Sequence, residues 1–507
     1  MSALALQGQV LDPNGRPYVY MGGMAQQMLG QDSPYSGAAT GNRLGALWGA
    51  SSGSADADLV WSRETLRDRG MDQVRNNPIA RSTLVTLDSN VIGTGLILNS
   101  DIDHEVLGIS QDEATAIGNR AQTIFQLWAE SKESDSRQQL NFFQQQRLAY
   151  WSSRDAGDVL ALMVGFSRGD FPFRSRLQLV ESHQVSTPAD QTENTNLSMG
   201  VEKDRNGAPL RYHVRRAHPG DIFRSSSTDA FIWDSVPAAG RRTGRKIAWL
   251  VYSIKRPGQS RGVPYITVAL ASLKQLERYT QSELMASIIG GTVTMVVTTP
   301  GTPNIGTIIS TPLGRDTGRP SQGAADYALD YGATLFLKPS ESFETIAPNR
   351  PNQAFADFIR ANVEQIGAGL GIPVEVLLKR FSTSFSAATA AKQEAGKVFL
   401  QERKEFATDF CQPVYETVIR EAVLNGMIDM PGFLENPLFR QAYLRATWQG
   451  PAFGIMRPLE DVKAAVAKID ARLSSRTLEI PRLTGHSREE IDRQLQNEAA
   501  SAIAGEA

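Results

Sequence analysis

The chain has 507 residues, with 52 Lys+Arg against 54 Asp+Glu and a formal net charge of −2. A composition of 41% hydrophobic and 21% charged residues supports a real core and excludes global disorder, while the near-neutral balance argues against a chain whose main work is gripping phosphate. The single cysteine, Cys411, excludes an intrachain disulfide or a cysteine-built metal site and suits a reducing compartment. At roughly 150 residues per domain the length predicts about three units. No apolar run reaches the ~18 residues of a membrane span. The opening MSALALQGQV lacks the basic start and long apolar stretch of a secretory signal. The expectation is a large, soluble, intracellular-type protein.

Residues 1–60 are rich in Gly, Ser and Ala and bury too little to offset ordering entropy, which predicts an extended arm. Helical patterning begins at Trp61 and covers 62–75. Asn77-Pro78 breaks it, 79–92 resumes it, and Gly93 and Gly95 stop it. Ile117, Ala121, Ile124 and Trp128 predict a helix over 112–131, and Phe142, Phe143, Leu148 and Trp151 another over 141–154. Short β-branched runs predict strands at 159–166, 177–185, 211–216 and 247–254, with Arg205-Asn206-Gly207 supplying a tight hairpin. This stretch makes the class α+β.

Pro264 opens a predicted helix over 264–289, which Gly290-Gly291 should end. Strands at 292–299 and 333–338 flank a Gly/Pro/Thr/Ser-rich insertion at 300–330. A helix over 352–368 is interrupted by Gly367, Gly369, Gly371 and Pro373, and an apolar turn follows at 374–378. RFSTSFSAAT, 380–389, reads as a loop entering the longest helix, about 386–425, which carries two adjacent apolar rows and a kink at Pro413. Polar helices are expected near 458–473 and 487–500.

The catalytic signatures in the chain are weak. Gly165-Phe166-Ser167-Arg168-Gly169 matches G-x-S-x-G, yet the Asp170-Phe171-Pro172-Phe173 that follows is poor material for the helix a nucleophile elbow needs. Asp101, Asp103, His104 and Glu105 sit within five residues without a partner cluster, so a solvated acidic loop is the better reading. His183, His213, His218 and His486 show no metal-binding spacing and read as structural. Ala395-Gly396-Lys397-Val398 lacks a glycine cradle, and Gly367-Ala368-Gly369-Leu370-Gly371 lacks the strand–turn–helix setting of a dinucleotide site. The expectation is therefore no enzyme, no metal and no cofactor. Arg241, Arg242, Arg245 and Lys246 form one basic patch that could touch nucleic acid or an acidic subunit surface.

Four segments together resemble the lambda-type portal proteins of tailed bacteriophages: NNPIARSTLVTLDSNVIGTGL (76–96), LVESHQVSTP with NGAPLRYHVRRAHPGD (179–188, 206–221), KRPGQSRGVPYITVALASLKQLERYTQSELMASI (255–288) and IGAGLGIPVEVLLKRFSTSFSAATAAKQEAGKVF (366–399). The resemblance spans about residues 60–450. It implies a portal fold assembling into a ring, usually of twelve subunits, at one capsid vertex. Laid on this chain, 1–60 is the arm, 61–263 the α/β wing, 264–290 the stem helix and 291–350 the clip. The returning stem helix is then 351–379, the tunnel loop 380–388, the long kinked wing helix 389–430, and the crown and tail 431–507. Lys379, Arg380, Phe381, Ser382, Thr383, Ser384, Phe385 and Ser386 would face the channel; the competing reading of this segment is a helix cap at Ser384 or Ser386. The implied partners are further copies of the chain, double-stranded DNA, a terminase motor, the major capsid protein and a head-tail adaptor, with no membrane. The implied location is the virion, after assembly in the host cytoplasm. The rival classes are a serine hydrolase using Ser167, a metal nuclease using the 101–105 cluster, and a DNA-binding scaffold using Arg241–Lys246.

Overall fold

The computed structural model describes residues 52–223, 228–292, 296–297, 335–336, 355–381, 384–452, 458–485 and 488–505. The chain divides into two units, residues 1–57 and 58–507. Within the expected extended arm, residues 1–51 lie outside the described residues, and Ala55–Val60 (α1) is helical rather than extended.

Asn77 separates two helices, α2 (Arg63–Asn76) and α3 (Pro78–Val91). Its side chain accepts from the Ile79 and Ala80 amides, and Pro78 fills the first helical position, where a missing N–H costs nothing. β1 (Ile97–Ser100) and the short α4 (His104–Leu107) follow, then α5 (Gln111–Glu130), capped by Ser110, and α6 (Phe142–Asp155), opened by an Asn141–Gln144 capping box.

The strand chemistry of the middle third produces β2 (Val159–Gly165), β3 (Ser175–Glu181), β4 (Leu197–Ser198), β5 (Val201–Lys203), β6 (Pro209–Arg215), β7 (Trp233–Pro237) and β8 (Ala248–Val251). These form two antiparallel sheets, β3-β2-β8 and β4-β5-β6-β7. The period-2 alternation of β2 is spent on two cores. Val159, Ala161 and Met163 face the main core, and Leu160 and Leu162 face a second core with Val180, Val201, Tyr212 and Val214. The expected tight hairpin forms over Arg205-Asn206-Gly207: the Asp204 amide donates to the Ala208 carbonyl at 2.9 Å, Gly207 takes φ +88°, and the Asp204 carboxylate accepts from the amides of Asn206 and Ala208.

Pro264 precedes a 3₁₀ turn, Tyr265–Ala269, which runs into α7 (Leu270–Thr292). The helix continues through Gly290-Gly291 instead of stopping there, since glycine inside a helix costs only about 1 kcal/mol. In the region between, Val296–Val297 (β9) and Leu335–Phe336 (β10) pair in parallel, while the 300–330 insertion lies outside the described residues. α8 (Phe355–Leu370) returns antiparallel to α7. Tyr279 stacks on Phe355 and meets Phe358 at a tilt at one end, and the Tyr265 hydroxyl donates to the Leu370 carbonyl at 2.7 Å at the other. Gly367 and Gly369 lie inside α8, which ends instead at Gly371, φ +68°.

After α9 (Val374–Leu377) comes the longest helical run, α10 (Phe385–Phe406), a π-helical turn at Ala407–Cys411, and α11 (Gln412–Leu424). The strain expected from Pro413 is relieved by the π turn just before it, which places the proline in the first turn of α11. Both predicted rows are buried: Phe406, Phe410, Val414, Val418 and Ala422 on one, and Cys411, Tyr415 and Ile419 on the other. Phe410 stacks on Phe142, and Tyr415 meets Phe125 edge-on, so this helix is the spine of the main core.

α12 (Pro437–Tyr443) and β11 (Ala446–Gln449) return to that core, with β11 pairing antiparallel to β1. Phe433, Ala442, Tyr443 and Leu444 are buried in the main core, and Ala446 and Trp448 pack against it. Beyond them lie α13 (Pro458–Asp470), α14 (Arg476–Thr484) and α15 (Arg488–Gly505). Among the described residues no helix is long and apolar enough to cross a membrane.

Candidate functional site

The segment expected to be a loop over 380–388 is shorter. Ser384 accepts from the Ala387 amide and caps α10, so Phe385, Ser386 and the residues to 388 are helical. Ser382 and Thr383 lie outside the described residues. On the near side, the Arg380 amide donates to the Glu375 carbonyl at 3.0 Å, and Lys379 takes a positive φ of 55° to turn the chain. Lys379, Arg380, Phe381, Phe385 and Ser386 are all exposed. Lys392 lies 6.0 Å from the Phe381 ring centroid, at the edge of cation–π range. Lys379 and Phe381 also border a cleft of about 620 Å³, shared with Lys392 of α10 and with Asp461, Lys468 and Arg482 of the C-terminal helices.

The basic patch forms the β7–β8 connection. The Gly240 amide donates to the Arg245 carbonyl at 2.9 Å, and Gly244 has φ +61°, which suits a residue without a Cβ. Arg241, Arg242 and Lys246 are exposed, and Arg245 is half-buried. Arg420 on α11 reaches the Thr243 carbonyl at 3.4 Å and joins the patch. Burial, with the like charges of Arg440 and Arg245, lowers the Arg420 guanidinium below its ordinary range. No sequence signal linked Arg420 to residues some 180 positions earlier. The exposed loop and the basic patch are not brought together: at 1.5 Å per residue, 35 residues of helix put them about 50 Å apart along the spine.

The remaining sequence candidates have structural explanations. Arg445 holds Asp101 and Asp103, each at 3.0 Å, and Asp103 also caps α4. β2 ends at Gly165 and no helix follows Ser167, so the elbow reading fails. Gly396 and Lys397 lie within α10, where Lys397 pairs with Glu394 at 2.6 Å.

Two buried ion-pair groups lie elsewhere, in the interior. Asp158 accepts from Arg63 at 2.8 Å and from Arg261 at 2.7 Å. Burial opposes its charge, but the two guanidiniums and the Arg261 and Ser182 hydrogen bonds outweigh that and hold its carboxyl far below the usual range. Burial and the like charge of Arg261 push Arg63 down to about 9. Arg154 and Glu402 form a second buried pair at 2.7 Å. Burial opposes the Arg154 charge too, yet Glu402 and Tyr150 raise its pKa above the ordinary value. These buried pairs tie distant segments of the chain together.

Comparison with known proteins completes the description. The family described as "Phage portal protein, lambda family" matches residues 41–403. The portal protein of Escherichia phage N15 is 23% identical over 448 residues, covering 84% of this chain and 82% of that protein. Portal protein B of Escherichia phage lambda is 23% identical over 449 residues, with the same coverage. Among solved structures, a chain from the virion of a native gene transfer agent particle and one from the neck of such a particle computed with C12 symmetry are similar at TM-score 0.38 and 12% identity. The likeness covers 82% of this chain and 91% and 92% of theirs.

Proposed function

The chain belongs to the lambda family of phage portal proteins, and we propose on that footing that it is the portal of a tailed phage: a ring at one capsid vertex through which double-stranded DNA enters and leaves the head. The family match across residues 41–403, most of the chain, carries this reading. Twelve copies is the number proposed for the ring. A closed ring needs one heterologous interface repeated until the rotation closes. Apolar surface left open on one subunit supports such an interface: Leu284 and Met285 on α7 and Phe358 on α8 are about half or more exposed.

In this reading α7 and α8 are the two stem helices, the region between them carries the clip, and α2 to β8 with the α10–α11 spine form the wing. The 379–386 segment faces the channel. Its serines and threonine offer DNA weak, replaceable contacts, and the net charge of −2 limits drag on the phosphates. The work is structural; energy for packaging comes from a separate terminase motor, and the capsid protein and head-tail adaptor are the other partners. The basic patch of Arg241, Arg242, Arg245 and Lys246 contacts an acidic face of a neighbouring subunit or the nucleic acid. Negative-stain imaging of the purified chain tests the reading: rings with a central hole support it, and small discrete particles at all concentrations oppose it.

A further inference from the structure

We infer that Glu181, His183 and His218 form a binding site for a divalent transition-metal cation, zinc in the first instance. The three side chains place one ligand atom each within 4.8 Å of the others, the only such His/Cys/Asp/Glu group among the described residues.

The chain path explains the convergence. Glu181 ends β3, His183 lies in the 3₁₀ turn Ser182–Gln184 that follows it, and His218 lies three residues past the end of β6, beyond the isolated antiparallel bridge between Val185 and Val214. The outcome is a 3.4 Å separation between His218 Nε2 and a Glu181 carboxylate oxygen, and His183 and His218 rings 4.8 Å apart. Around a tetrahedral zinc with bonds near 2.0–2.1 Å, neighbouring ligand atoms lie roughly 3.4 Å apart. The His218–Glu181 edge already has that length, and closing the third ligand asks for little more than an ångström from side chains at the surface, Glu181 being 68% exposed.

The chemistry of the donors fits a borderline cation rather than a hard one: two imidazoles and one carboxylate suit zinc, nickel or copper, not magnesium. Arg67 is a cationic neighbour of His183. Asp68, which contacts His183 at 3.2 Å and Arg67 at 2.9 Å, offsets the guanidinium charge. The Gly220 amide donates to His218 Nδ1 at 3.0 Å, so the neutral ring carries its proton on Nε2 toward Glu181. A cation at Nε2 displaces that proton to Nδ1 and ends the Gly220 bond. Binding would staple the connection after β6 to the end of β3.

Equilibrium dialysis of the full-length assembled protein, stripped with chelator and then titrated with zinc chloride, tests this. One zinc per subunit is expected, retained against a hundredfold excess of magnesium. His183→Ala with His218→Ala should abolish it. The exposed Glu181→Gln, which spares the fold, should weaken it tenfold or more. Cobalt in place of zinc should give tetrahedral visible bands in the wild type alone. No stoichiometric zinc in the wild type, or equal zinc in wild type and Glu181→Gln, overturns the site.

Discussion

Arg261 and Asp158 meet at 2.7 Å with both side chains wholly buried, and this pair binds the β3-β2-β8 and β4-β5-β6-β7 sheets together. Arg261 also donates to the carbonyls of Val185 and Met199, each at 2.7 Å, while Asp158 accepts from Ser182 and from the Gly262 amide. Every polar arm of the pair that the geometry brings near has a partner, which is the condition for tolerating charge in an interior.

Asp158→Asn should leave two buried guanidiniums without their counter-charge and cost about 3–5 kcal/mol, read from the midpoint of chemical unfolding. The pH dependence follows from the depressed carboxyl. Its contribution is fully present above the ordinary aspartate value of 3.8 and is lost only as pH falls from there through the much lower folded value. The stability gap between wild type and Asp158→Asn should therefore be the same at pH 7 and pH 5. A gap that closes by pH 5 would show that the carboxylate is not held this way.

Gly262 and Gly157 lie back to back beside this pair. A Cβ on Gly262 would stand 1.9 Å from the Gly157 carbonyl oxygen, a clash with backbone that no rotamer relieves. Gly262→Ala should abolish soluble protein. Gly258→Ala is the control: with φ +78° and nothing within 4 Å of its Cβ, it should cost only about 1–2 kcal/mol. Comparable yields of the two variants would contradict the packing described.

Substituting Ser382, Thr383 and Ser384 by lysine should leave rings intact and slow DNA passage, more strongly at low salt, because each added cation binds phosphate in a salt-dependent way. Removing the Ser384 cap also costs α10 about 1 kcal/mol, so Ser384→Ala is measured alongside. Packaging at the wild-type rate by the triple-lysine ring at low ionic strength would mean that the segment does not face the channel.

Deleting 303–325 should spare ring assembly and abolish docking of the terminase, since binding loops on a rigid frame tolerate removal without loss of that frame. Unchanged packaging by the shortened rings would remove this region from the docking surface.

Local rules carried much of the fold. The Asn77-Pro78 break, the β2 alternation and the two apolar rows of the α10–α11 spine all follow from period and capping, which short windows of sequence contain. Features set by distant neighbours were not legible. α14 was missed because Pro481 inside it argues against a helix, and α7 outran Gly290-Gly291 because two glycines alone do not stop a helix. β11 returned to β1 across more than 300 residues, which no local pattern encodes. The same limit hid the site chemistry. His183 and His218 show no ligand spacing in the chain and meet only where the turn after β3 packs beside the connection after β6, and Arg420 reaches the basic patch only through the packing of α11.

The central claim is assembly. Mass measurement of the purified full-length chain across a hundredfold range of concentration tests it most directly. A closed ring gives one dominant species at about twelve times the subunit mass of 55.4 kDa, unchanged on dilution. A stable monomer or dimer throughout, with no larger species, would contradict the account.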